Sequence, residues 1–223
     1  MFPIINHISN RSFKIRNFEE DKIATLNANR GLRYEGVFEK NHLFCGNFYL
    51  INSDGQLIEV FEIEMIIGGD YPNDFPVVKL IGNNIELIED NHISKSGIIC
   101  FDHPYIINSI KKGGIRIYDF VNFYLPKYFS WVLIKKYGDS IILQEWSHGT
   151  EGTKQFYKAL LGTTNNETIV VFLENYCNNP RIQRNSKCYC GSGKKLKSCH
   201  LISAQYLKAT PLKYILTDIK LFH

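Results

Sequence analysis

Long apolar runs are missing from this chain. None approaches the about 20 consecutive residues that a helix needs to span a bilayer, so no membrane partner is expected. The opening residues, Met1-Phe2-Pro3-Ile4-Ile5-Asn6-His7, carry neither the basic start nor the apolar core of a secretion signal. The six cysteines are therefore expected to be reduced thiols in a cytoplasmic protein rather than a disulfide framework. There is no glycine loop of the nucleotide-cradling kind, so any nucleotide-dependent step must come from another protein or be absent. Internal repeats and low-complexity tracts are also missing. Charge of one sign is scarce: 26 Lys and Arg stand against 22 Asp and Glu, a formal +4. No nucleic-acid partner is expected from that balance. The densest basic cluster, Lys194, Lys195 and Lys197, reads as a solvated face.

What is present suits one substantial domain with an appendage: 223 residues, 44% hydrophobic and 13% aromatic. Asn17, with Glu20 three positions on, starts a helix over 17–30, and Gly31 stops it. Strands are expected over Leu32 to Glu39, Leu43 to Ile51, Leu57 to Ile67 and Val77 to Ile81. Asn52-Ser53-Asp54-Gly55 supplies turn chemistry between the second and third. Short turns between adjacent strands give an antiparallel sheet, so the fold class is α+β. Cys45 reads as a core thiol of the second strand. Tyr118 to Tyr137 reads as a long helix that Pro126 kinks or splits. Further helices are expected near Thr153 to Leu161 and Glu167 to Tyr176. The expected organisation is a domain over 1–177, a polar linker over 178–187, and a tail over 188–223. Apolar residues of that tail, among them Leu207, Ile215 and Ile219, are expected to dock on the chain's own domain.

The tail opens with Cys188-Tyr189-Cys190-Gly191-Ser192-Gly193 and continues to Cys199-His200. Three thiols and an imidazole in two close pairs suit tetrahedral zinc. The glycines allow the turn that brings the pairs together. The stretch resembles the SEC-C zinc motif. A closed four-ligand site implies structural zinc, whose binding supplies folding free energy to a small module.

A second stretch, Ser96-Gly97-Ile98-Ile99-Cys100-Phe101-Asp102, sets a cysteine just after a glycine turn. Upstream lies a proline-rich corner, Tyr71-Pro72 and Phe75-Pro76. Order and separation of the two resemble the ubiquitin-conjugating enzyme family over roughly residues 15–160. The resemblance implies a four-stranded meander with flanking helices and a cysteine acyl carrier at Cys100. That carrier would hold the C-terminus of a protein as a thioester and pass it to an amine. The family places an Asn eight positions before its cysteine; here His92 takes that place. His92 or Asn91 could donate to the oxyanion, or His92 could brace the loop. Asp102 could orient the amine or simply turn the chain, His103 could act as base or be structural, and His148 is a further candidate for lining the cleft.

The pairing of such a domain with a zinc tail is similar to bacterial proteins of CBASS-type antiphage operons. There the modified tail belongs to a cyclic-nucleotide synthase (a CD-NTase). The alternative is a conjugating-type fold that binds a partner without chemistry.

Overall fold

The computed structural model describes residues 17–138, 147 and 149–223. Helix α1 (Phe18–Ala28) leads into strands β1 (Leu32–Phe38), β2 (Asn41–Ile51), β3 (Leu57–Ile67) and β4 (Val77–Leu80). Then come α2 (Pro104–Gly113), α3 (Ile117–Asp119), α4 (Leu125–Tyr137), α5 (Gly149–Leu161) and α6 (Asn166–Asn178). The chain closes with α7 (Leu201–Leu207) and α8 (Leu212–Ile219). The described residues fall into two compact units: a sheet unit of 17–101 and 113–138, and a helical unit of 102–112, 147 and 149–223.

The sheet unit is a meander in the order β1-β2-β3-β4, with every pair antiparallel. Alternation puts Phe44, Phe48 and Leu50 of β2 and Phe61, Ile63, Met65 and Ile67 of β3 into the core. Phe129 of α4 stacks on Phe61 at 3.9 Å between ring centres. At the start of α1, Asn17 Oδ1 accepts the Glu20 N–H at 2.9 Å, the expected cap. One turn on, the buried Asp21 carboxylate accepts from the Tyr71 hydroxyl at 2.6 Å and from the Ile117 N–H at 2.5 Å. The Ile115 N–H donates to the Pro72 carbonyl at 2.8 Å. The Tyr-Pro corner is thereby tied to α1 and to the start of α3.

One expectation needs correction. Cys45 is not a core thiol. Its neighbours Phe44 and Gly46 are the buried ones, and its sulfur lies 3.1 Å from Glu35 Oε1 on the outer face. The helix expected over 118–137 is present and is split before Pro126, by a π-helical turn at Phe120–Tyr124 where the Leu125 N–H reaches the Phe120 carbonyl. Pro126 has no N–H to give and its ring crowds the carbonyl one turn back, so the wider turn absorbs it.

In the helical unit, Phe156, Tyr157 and Leu161 of α5 and Ile169, Phe172 and Leu173 of α6 form the core. Leu207, Ile215, Ile219 and Phe222 are buried in the same unit, so the C-terminal helices dock on it. Tyr105 and Tyr157 both donate to the Asp218 carboxylate, the latter at 2.9 Å. Burial nonetheless holds that carboxyl above its ordinary range. Asn178 still belongs to α6, and residues 179–187 have no regular structure apart from turns and a bridge at Lys187 to Lys195.

Candidate functional site

The helical unit brings Cys188, Cys190, Cys199 and His200 together, with all four ligand atoms within 4.8 Å of one another. Backbone geometry does this. The Cys188 N–H donates to the Lys194 carbonyl at 2.7 Å and the Leu196 N–H to Ser186 at 2.8 Å, closing a short hairpin. Gly191 and Gly193 sit at φ 78° and 72°, where a side chain would be strained. A short 3₁₀ turn, Leu196–Ser198, then swings Cys199 and His200 back.

The distances suit a tetrahedral ion. Sulfurs bound about 2.3 Å from zinc lie about 3.8 Å apart. Cys190 Sγ and Cys199 Sγ are 3.7 Å apart. His200 Nδ1 lies 3.3 Å from Cys188 Sγ and 3.2 Å from Cys199 Sγ. On its far side, His200 Nε2 is 3.1 Å from the Leu161 carbonyl oxygen. A carbonyl can only accept, so Nε2 carries the hydrogen and Nδ1 turns its lone pair to the cluster. Phe172 packs edge-on against the ring. Burial pushes the Cys188 thiol up; the Cys190 thiol comes down because hydrogen bonds from Ser192 and the neighbouring thiols outweigh its burial.

Residues 184–201 match the SEC-C motif. SEC-C motifs are metal-binding, and the four ligands of this one converge. No curated protein and no solved structure matches the chain. Among the described residues, no helix is long and apolar enough to cross a membrane.

The second candidate lies in the sheet unit. Cys100 is exposed, and the chain just before it is held at several points. The Ile99 N–H donates to Val78 at 2.9 Å, the Leu80 N–H to Gly97 at 2.9 Å, and the Cys100 N–H to the His92 carbonyl at 2.7 Å. Gly97 takes φ 85°, and a Cβ there would meet the Leu80 carbonyl oxygen at 2.6 Å. His92 itself is left-handed at φ 50°, with its ring against Trp131. Helix α4 braces the loop from below. The Tyr128 hydroxyl donates to the Asn91 carbonyl at 2.8 Å, and Lys135 Nζ donates to the Asp90 carbonyl. Burial, then the neighbouring Cys100, raises the pKa of that hydroxyl. Tyr128 and Trp131 were not among the sequence candidates. Tyr128 is four residues from both Tyr124 and Val132, so helical spacing alone marks its face.

Asn91 turns its side-chain amide to the Glu86 carbonyl at 3.0 Å. Asp102 accepts the His103 N–H at 2.8 Å, opening α2 in the helical unit. His103 is buried there, flat on Phe156 at 4.5 Å, and burial lowers its pKa to about 4. His148 lies outside the described residues.

Proposed function

We propose that the sheet unit is a ubiquitin-conjugating-type acyl carrier with Cys100 as the thioester residue. The observation that carries this reading is an exposed cysteine at the end of a loop fixed to β4 and to His92 by backbone hydrogen bonds. A nucleophile so placed meets a bulky acyl group without moving its support. The thiolate attacks an activated C-terminal carbonyl, the leaving group departs, and a thioester remains. An amine then attacks that carbonyl, the tetrahedral oxyanion collapses, and the Cys100 thiolate is released. A donor to the oxyanion is worth on the order of 3 kcal/mol in comparable chemistry. His92 and Asn91, on the loop between β4 and Cys100, are the sequence candidates for it.

The metal of the SEC-C module is zinc, with a structural role. Three thiols and a neutral imidazole leave no open position for water or substrate. When bound, the ion supplies cross-linking and no acid–base chemistry. The acyl group is a protein C-terminus, in the setting of antiphage defence a CD-NTase tail.

One feature favours a second reading, a binding module without chemistry: His92 spends its carbonyl on the Cys100 amide and its ring on Trp131. The test is a trap. Cys100→Ser, expressed in the source cells, should accumulate an ester adduct that survives reducing agent, while the wild-type adduct is cleaved by it. If neither protein carries an adduct on residue 100, the binding reading stands.

A further inference from the structure

The overall charge of +4 conceals a division. Residues 175–217 hold eight Lys and Arg and no Asp or Glu, so the remaining residues carry 18 of the 26 cations against all 22 acids. All eight cations of this stretch are exposed. Six of them, Arg181, Arg184, Lys187, Lys194, Lys195 and Lys197, surround the SEC-C module. The hairpin brings four of them together in two pairs. Lys187 and Lys195 form an antiparallel bridge, and the Lys197 N–H donates to the Arg184 carbonyl at 2.9 Å. Like charges directly opposite across a bridge repel. Among the described residues no carboxylate pairs with any of the six. A metal ion on three thiolates would remove one unit from this excess and leave it strongly positive.

We propose that this face of the SEC-C module binds the phosphate backbone of duplex nucleic acid without reading its sequence. Its chemistry is narrow. From 175 to 200 no large apolar side chain is among the exposed ones. A bilayer surface or an acidic protein would gain little beyond charge here, because interfaces of both kinds draw on aromatic or aliphatic anchors. Tyr189, the aromatic within the motif, is buried, so the motif itself offers no ring for stacking single-stranded bases. Flexible cations with no carboxylate beside them suit evenly spaced phosphates.

The test is fluorescence anisotropy of a labelled mixed-sequence DNA duplex of about 20 base pairs, titrated with the full metal-loaded chain at several salt concentrations. The plot of log K against log salt should slope between about −3 and −5, as expected for four or five neutralised phosphates. The triple variant K187Q/K195Q/K197Q should flatten that slope by about 2 to 3 while keeping its metal content. No binding at about 50 mM salt would overturn the proposal, as would a triple variant with an unchanged slope. Tighter binding to polyglutamate or to phosphatidylserine vesicles than to the duplex would overturn it in favour of an acidic protein or a membrane.

Discussion

His200 Nε2 and the Leu161 carbonyl oxygen stand 3.1 Å apart, joining the metal ligand to the last residue of α5. The bond fixes the ring so that Nδ1 faces the three sulfurs. It also makes the metal centre a clasp between the Cys-rich hairpin and the helices of its own unit. Metal loss should therefore be felt beyond the hairpin.

Chelation, or Cys199→Ser, is expected to lower the melting temperature of the helical unit and to expose Tyr189 and Phe172. Structural zinc sites supply folding free energy outright. Tyrosine fluorescence and metal content, followed together through a chelator titration, check this. Full metal release without a change in the unfolding transition would contradict it.

Gly97→Ala is expected to disturb the Cys100 loop. The new Cβ would sit 2.6 Å from the Leu80 carbonyl oxygen, at a φ of 85° that costs a side chain further strain. A loss of about 2 kcal/mol is expected from urea unfolding. An unchanged midpoint would show that the loop is looser than its hydrogen bonds suggest.

Tyr128→Phe removes the donor to the Asn91 carbonyl and leaves the buried ring in place. The expected cost is about 1 kcal/mol, together with faster amide exchange at His92 and Cys100. Exchange unchanged at both amides would separate α4 from the support of the loop.

His103 gives the molecule a pH dependence. Its folded pKa of about 4 lies below the ordinary value of 6.5, because burial disfavours the imidazolium. The unfolded state thus binds the extra proton first. Stability from this group is complete above about pH 6.5 and falls as the pH drops toward 4. The loss is on the order of 2–3 kcal/mol. His103→Phe, which can keep the contact with Phe156, should flatten the unfolding profile across that window. An equal slope in both proteins would assign the dependence to other groups.

The sheet and the metal ligands were open to reading because their signals are local. Alternation in Leu57–Ile67 put Phe61, Ile63 and Met65 on one face, and the structure buries all three. The convergence of Cys188, Cys190, Cys199 and His200 follows from two close pairs and a glycine turn. Cys45 was misplaced although Phe44, Phe48 and Leu50 share the opposite parity; a small apolar residue suggested burial more strongly than its register allowed. The π-helical turn before Pro126 had no local mark beyond the proline, which can equally kink or end a helix. The Leu161 partner of His200 lies 39 residues away and offers only a backbone carbonyl, for which no residue type is diagnostic.

The most direct measurement is single-turnover transfer from a defined peptide C-terminal thioester. The purified chain is charged with it, freed of excess donor, and chased with lysine. The expected result is one adduct, mapped to Cys100, cleaved by reducing agent and discharged to the lysine amine faster than to water. Cys100→Ala should lack the adduct and the transfer. Adducts spread over Cys45 and Cys177 as well, with loss to water alone, would contradict an acyl carrier at Cys100.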